Sequence, residues 1–156
     1  MDYSQISDTL AIGTSPKSGD YDALRELGVR FVINMRFARR LRPDPLDPPL
    51  SILCLRTLDN PLFPIPLRSL RRGVEATLVT SKAGGKVYAC CRAGAHRSVT
   101  MAAAILIAQG CPADEALALI KARRKVADPY VWYIRWRINR FAAAWEIQQC
   151  RSIRST

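Results

Sequence analysis

Short apolar runs alternate with segments of helical pattern along this chain, and this alternation limits the possible fold more than any other feature. The runs that predict buried strands are "LAIGTS", "FVINMR", "SILCL" and "KVYAC". Between and after them, residues 67–82, residues 97–109 and the segment "PADEALALIKARR" have the patterns of helices. This order predicts an α/β fold, with helices on both faces of a central, mainly parallel sheet of about four or five strands.

The length of the chain, 156 residues, suits one domain with a hydrophobic core. We expect residues 1–148 to form that domain and residues 149–156 to form a basic C-terminal tail. The apolar run Met101–Ala108 is too short to cross a bilayer, which predicts no stable membrane insertion. The segment "MDYSQISDTL" has no basic start and no apolar core, so we expect a cytoplasmic protein without a secretory signal.

The charge balance is strongly basic, with 24 Lys and Arg residues against 13 Asp and Glu residues and a net charge of +11. Such an excess favours anionic partners: phosphorylated substrates, nucleic acid or an acidic membrane surface. A soluble domain from an arginine-rich proteome is the alternative explanation. Part of the charge is concentrated in a proline-rich segment, residues 36–50, which predicts a surface loop. Its arginine cluster consists of Arg36, Arg39, Arg40 and Arg42.

The cysteines do not form an obvious disulfide framework, because their number is odd and two of them are adjacent. They are Cys54, Cys90, Cys91, Cys111 and Cys150. With a single histidine and no C-x-x-C pair, a structural zinc site is not expected either. The sequence therefore predicts free thiols and no metal or other cofactor.

The stretch "CCRAGAHRS" lies where a predicted strand ends and a predicted buried helix begins. Ligands of α/β sheets bind beyond the carboxyl ends of strands, often against a helix N-terminus. Backbone amides in such a loop can form a concave nest for a tetrahedral oxyanion, and an arginine can bind two of its oxygens. The loop residues that we expect to bind phosphate are Arg92, Ala93, Gly94, Ala95, His96 and Arg97.

A cysteine at the base of this nest should have a lowered pKa, because amide dipoles, the helix end and Arg97 all stabilise a thiolate. Cys91 is therefore the candidate nucleophile. The side chain of Cys90 should point to the other face of the sheet, because side chains alternate along a strand. Inert packing is expected for Cys90, with a strained disulfide to Cys91 as the alternative.

The pattern C-x-x-G-x-x-R-S, formed by Cys91, Gly94, Arg97 and Ser98, resembles the signature of the cysteine-dependent phosphatases. The flanking segments, over roughly residues 3 to 145, resemble the dual-specificity phosphatases in particular. This resemblance implies a metal-independent catalytic domain that hydrolyses phosphotyrosine, phosphoserine or phosphothreonine in proteins through a phosphocysteine. It also implies that the Ser98 hydroxyl assists departure of the sulfur. The chain departs from the family at Cys90, where a histidine usually supports the loop.

The same resemblance implies a general acid on a separate loop upstream of the nucleophile, and Asp59 in "LRTLDNPLFPIP" has that placement. A simple Asp-Asn-Pro turn is the alternative explanation. Asp128 in "ADPYVWY" is the competing acid, because low-molecular-weight tyrosine phosphatases use an Asp-Pro-Tyr acid. Their nucleophile lies near the N-terminus, however, so we interpret Asp128 as the cap of the last helix. His96 is expected to line the rim of the pocket, with proton transfer as its alternative role.

Two alternatives to a protein phosphatase remain. The first keeps the chemistry and changes the substrate to a phosphoinositide, an RNA 5′-phosphate or another small anionic phosphate ester. The second is a catalytically silent module that only binds phosphate. The sequence predicts neither the oligomeric state nor the preference between phosphotyrosine and phosphoserine or phosphothreonine.

Overall fold

The computed structural model contains one five-stranded sheet with helices on both faces. Its strands are β1 (Tyr3–Ser7), β2 (Leu10–Thr14), β3 (Val29–Arg36), β4 (Ser51–Thr57) and β5 (Lys86–Cys91). Its helices are α1 (Tyr21–Glu26), α2 (Leu67–Lys82), α3 (Arg97–Ala108), α4 (Ala113–Arg123) and α5 (Trp132–Arg154). The backbone is described for residues 1–38 and 40–154, and the side chains for residues 1–38 and 40–150. Arg39 of the predicted arginine cluster and residues 155–156 of the predicted tail lie outside the described residues.

The order of strands across the sheet is β1-β2-β5-β3-β4. The four strands from β2 to β4 pair in parallel, and β1 pairs with β2 in the antiparallel sense. This arrangement confirms the predicted α/β class and the mainly parallel sheet. β1 was not predicted, because the short segment "YSQIS" has too few apolar residues to stand out from a loop.

Helix α3 is the centre of the larger hydrophobic core, where it packs between the sheet and the helices α2, α4 and α5. Every residue from Ser98 to Leu106 is buried. The prediction of a buried helix after the loop is therefore confirmed. One face of α5 also lies in this core. Its buried members are Ile134, Ile138, Phe141 and Trp145.

The start of α5 differs from the prediction. The helix begins at Trp132, and the carbonyl of Val131 accepts hydrogen bonds from the amides of Ile134 and Arg135. Asp128 therefore lies too far upstream to cap the helix, and its assignment as the cap was wrong. At the other end α5 continues through residue 154, into the segment that was expected to be a tail. No helix in the described part of the chain is long and apolar enough to cross a membrane.

Candidate active site

The loop between β5 and α3 spans residues 92–96 and lies at the carboxyl edge of the sheet, next to the end of β2. Gly94 is buried in this loop and has a φ of +67°, in the left-handed region that favours glycine. A Cβ at this position would lie 2.5 Å from Nη2 of Arg124 and 2.9 Å from the carbonyl carbon of Gly13. Only glycine therefore fits both the turn and the space.

The Cys91 thiol lies at the base of this loop. Its Sγ is 3.2 Å from the amide nitrogen of Gly94, which donates to it, and 3.4 Å from Oγ of Ser98. Burial alone raises the pKa of a thiol. Here the hydroxyl and amide of Ser98, the amide of Gly94 and the charge of Arg97 outweigh burial, so the pKa of Cys91 lies below its ordinary value. The local structure thus stabilises a thiolate.

Cys90 has the opposite character, although it is the adjacent residue. Its side chain enters the core on the α1 face of the sheet, whereas Cys91 belongs to the core around α3. Burial raises the pKa of Cys90 to about 12. Both cysteines are free thiols. The predicted alternation of the two side chains is therefore present, and Cys90 is packed as an inert residue.

The Arg97 guanidinium is partly fixed by the ends of two strands. Its Nη1 donates to the carbonyl of Thr57 at 3.1 Å and to that of Met35 at 3.4 Å. Its Nε is buried and has no hydrogen-bond partner among the described residues. The nearest carboxylate oxygen, Oδ2 of Asp59, is 3.8 Å from this nitrogen. The arginine thus holds an unpaired donor beside the loop.

Asp59 lies opposite the loop, on the segment between β4 and α2. The structure therefore brings this candidate acid together with the predicted loop residues His96 and Arg97. Its Oδ1 is 3.2 Å from Nδ1 of His96, and its carboxylate is one-third exposed. A cleft lies between this segment and the loop. The side chains that line it include Leu58, Asp59, Ile65, His96, Arg97, Tyr133 and Arg137.

Tyr133, on the first turn of α5, is a site residue that the sequence analysis missed. Its hydroxyl donates to Oδ1 of Asp59 at 3.1 Å and lies 3.3 Å from Nδ1 of His96. Burial and the nearby Asp59 carboxylate raise the pKa of Tyr133 to about 12, so it stays a hydrogen-bond donor at neutral pH. The aromatic pattern of α5 gave no signal for this contact, because it depends on how α5 packs against a distant loop.

Arg124 is the second residue that the sequence analysis missed. It is 2% exposed and lies behind the loop, where its Nε donates to the carbonyl of Gly94 at 2.8 Å and its Nη2 to that of Ala93 at 3.2 Å. Its Nη2 also forms an ion pair with Asp2 at 2.8 Å. Because these carbonyls are bound from behind, the loop amides are free to face the other way. In the sequence Arg124 looks like one more basic residue at a helix end.

Asp128 also lies near the loop, but through its backbone. Its amide donates to the carbonyl of Ala95 at 3.1 Å, and its side chain is exposed. Of the two candidate acids, Asp59 is the one whose carboxylate contacts the side chains of the loop.

No family model matches the sequence, and no curated protein matches it. Solved structures match it over most of its length. PTPMT1 is 25% identical with a TM-score of 0.83, covering 96% of this chain and 99% of that chain. A mouse putative dual specificity phosphatase, solved as a complex with zinc tungstate, is 23% identical with a TM-score of 0.81. The match covers 94% of this chain and 90% of that chain. Human DUSP28 is 23% identical with a TM-score of 0.79. The match covers 92% of this chain and 95% of that chain. The chain has the dual-specificity phosphatase fold.

PTPMT1 has also been solved in complex with PI(5)P, at a TM-score of 0.82 to this chain. The dual-specificity phosphatase fold places the loop of residues 92–96 between the central strand β5 and the buried helix α3. The residue before Cys91, where the sequence resemblance implies a histidine that supports the loop, is Cys90. The loop is instead held by Arg124 and by Ser15, whose amide and hydroxyl both donate to the carbonyl of Cys91, at 2.9 and 3.1 Å.

Proposed function

We propose that this protein is a cysteine-dependent phosphatase that hydrolyses phosphotyrosine, phosphoserine or phosphothreonine in proteins through a phosphocysteine intermediate. The observation that carries the proposal is the buried Nε of Arg97, a charged donor without a hydrogen-bond partner among the described residues. A buried donor of this kind is costly unless a ligand satisfies it. The pKa of the neighbouring Cys91 is lowered, so its thiolate is available as a nucleophile beside Arg97.

In the first step the Cys91 thiolate attacks the phosphorus atom, and the bond from phosphorus to the leaving oxygen breaks. Asp59, in its protonated form, gives its proton to that oxygen, so the product leaves as an alcohol or phenol. Arg97 and the amides of residues 92–97 bind the phosphoryl oxygens and stabilise the charge that they carry in the transition state. His96 and Tyr133 hold the Asp59 carboxyl in place.

In the second step water attacks the phosphocysteine. Asp59, now a carboxylate, takes a proton from the water, and the phosphorus–sulfur bond breaks to release inorganic phosphate. The departing sulfur carries a negative charge, and the Ser98 hydroxyl lies 3.4 Å away as a hydrogen-bond donor to it. The enzyme returns to its starting state with the Cys91 thiolate restored.

Hydrolysis of para-nitrophenyl phosphate in the presence of a metal chelator tests this proposal. We expect turnover by the native chain and none by Cys91→Ser. An inactive native chain that still binds phosphate would favour the catalytically silent module instead.

A non-protein phosphate ester is the second candidate substrate class. It is favoured by the complex of PTPMT1 with PI(5)P, since PTPMT1 is 25% identical to this chain, and by the net charge of +11. Parallel rates on a phosphopeptide panel and on short-chain phosphoinositides distinguish the two classes. A higher kcat/KM on every phosphoinositide than on every peptide would reassign the substrate.

A further inference from the structure

A second basic pocket, with a volume of about 290 Å³, opens on the α1 side of the molecule. Two segments form it: the one between β2 and α1, and the one after β3. Its charged side chains are those of Lys17, Arg40 and Arg42, with Ser18 and Tyr21 beside them. None of these residues belongs to the cleft that contains Asp59 and Arg97.

This second pocket is close to the candidate nucleophile. β2 pairs in parallel with β5, and the amide of Ser15 donates to the carbonyl of Cys91 at 2.9 Å. Lys17 follows Ser15 by two residues, so their Cα atoms are at most about 8 Å apart. The pocket therefore lies at the same carboxyl edge of the sheet as the loop of residues 92–96.

The positive charges of the pocket are not neutralised. Lys17, Arg40 and Arg42 form no ion pair with any described residue, and all three side chains are exposed. Two carboxylates that are near these residues in the sequence, Asp20 and Asp44, have other partners. Asp20 accepts from the Lys17 backbone amide and pairs with the N-terminal amine, and Asp44 is paired with Arg25.

The backbone from Arg42 onward is held by hydrogen bonds to buried side chains. The hydroxyl of the buried Tyr21 donates to the backbone carbonyl of Arg42. Two residues further on, the buried Asp44 carboxylate accepts from the amides of Leu46 and Leu50. Because the backbone is already held at Arg42, an anion that binds here does not pay to order that part of the segment.

We propose that Lys17, Arg40 and Arg42 form a second phosphate-binding site, which takes a second phosphate group of the substrate. Three cations within one pocket suit a dianionic tetrahedral group, and arginine can bind two of its oxygens at once. The site itself is independent of catalysis. Its use by a doubly phosphorylated substrate rests on the proposed phosphatase function.

Inorganic pyrophosphate titrated into ¹⁵N-labelled Cys91→Ser protein tests the site without any turnover. We expect two separate sets of amide shifts, one at residues 92–98 and one at Lys17, Ser18 and Leu41. Adding Arg40→Gln and Arg42→Gln should weaken the pyrophosphate affinity measured from the shifts at Lys17, Ser18 and Leu41 at least tenfold. The shifts at residues 92–98 should remain.

The matched control adds Arg30→Gln and Lys82→Gln, which remove the same charge from exposed residues at the opposite edge of the sheet. It should retain both sets of shifts. Shifts confined to residues 92–98, or equal weakening in the two double variants, would overturn the proposal. Shifts at Lys17 and Ser18 in a protein whose native form has no activity would leave this site standing while the phosphatase proposal falls.

Kinetics distinguish a second substrate phosphate from free inorganic phosphate as the occupant. The substrates are a phosphotyrosine peptide and the same peptide with a second phosphate three residues away, about 10 Å in an extended chain. The native protein should show a KM at least tenfold lower for the doubly phosphorylated peptide, and Arg40→Gln/Arg42→Gln should remove this difference. Equal KM values together with pyrophosphate shifts would assign the site to a free anion.

Discussion

The carboxylate of Asp59 lies 3.2 Å from Nδ1 of His96, which joins the candidate general acid to the loop that holds the candidate nucleophile. The two residues come from different elements and meet only because the segments after β4 and β5 leave the same edge of the sheet. Tyr133, on α5, has its hydroxyl within hydrogen-bond distance of both Asp59 and His96. The Asp59 carboxylate is thus held by side chains on two other elements, and its orientation does not depend on its own loop alone.

Asp59→Asn should slow the hydrolysis of esters with poor leaving groups, such as phosphotyrosine peptides, by about 100-fold to 10,000-fold, because the leaving oxygen loses its proton donor. The hydrolysis of activated esters should slow much less, because their leaving groups depart as anions. Steady-state kinetics on a series of aryl phosphates with different leaving-group pKa values measures these effects.

Asp128→Asn is the control for this prediction, because the Asp128 side chain is exposed and the hydrogen bond of this residue to the loop is made by its backbone amide. Its rates should stay near those of the native protein across the series. A leaving-group dependence in Asp128→Asn, with none in Asp59→Asn, would move the acid to the segment before α5.

Cys91→Ser should abolish turnover but keep phosphate binding, because the loop amides and Arg97 remain. Cys90→Ser should retain a substantial part of the activity, because the Cys90 side chain lies on the other face of the sheet. Turnover and phosphate affinity, measured for both variants, check the assignment. An active Cys91→Ser with an inactive Cys90→Ser would contradict it.

The pH dependence of alkylation should separate the two thiols. The pKa of Cys91 is lowered, so its thiolate forms at a lower pH than in an ordinary cysteine and its reaction with iodoacetamide should already be fast near neutral pH. Burial raises the pKa of Cys90 to about 12, so it should stay unmodified below that range. Peptide mass spectrometry after alkylation from pH 5 to pH 10 measures both. Faster labelling of Cys90 than of Cys91 would refute the prediction.

Arg97→Lys should lower both phosphate affinity and kcat, because lysine keeps the charge but loses the planar pair of donors. The loss should appear with para-nitrophenyl phosphate as well as with peptides, since both place their phosphate in the same loop. Steady-state kinetics and the inhibition constant of inorganic phosphate measure it. Native values for both would mean that the oxyanion binds elsewhere.

Arg124→Lys should destabilise the loop, because the carbonyl of Gly94 loses its partner in a buried place. Each buried polar group left unpaired costs about 1–3 kcal/mol. Urea unfolding gives the free energy of unfolding, and inorganic phosphate affinity reports the loop. Asp2→Asn is the control: Asp2 is 66% exposed, so its pair with Arg124 should contribute less than about 1 kcal/mol. A larger loss in Asp2→Asn than in Arg124→Lys would contradict the assigned role.

The parts of the fold that follow local rules were predictable from the sequence. The helix predicted over residues 67–82 has those bounds, and the all-apolar helix after the loop is enclosed as expected. The resemblance to the dual-specificity phosphatases also grouped Asp59 with Cys91 and Arg97, and Oδ2 of Asp59 lies 3.8 Å from Nε of Arg97. β1 was missed because an edge strand of five residues needs few apolar side chains. The roles of Tyr133 and Arg124 depend on contacts between elements far apart in the chain, which no local pattern encodes.

The enclosure of α3 ties the candidate site to the cooperativity of the whole domain. Amides of a helix that is buried from Ser98 to Leu106 exchange with solvent only when the surrounding core opens. The first turn of that helix carries Arg97 and Ser98, so these two candidate site residues belong to a unit that we expect to exchange slowly. A substitution that loosens the core under α3 will therefore shorten the lifetime of the assembled loop, even when it lies far from the thiol.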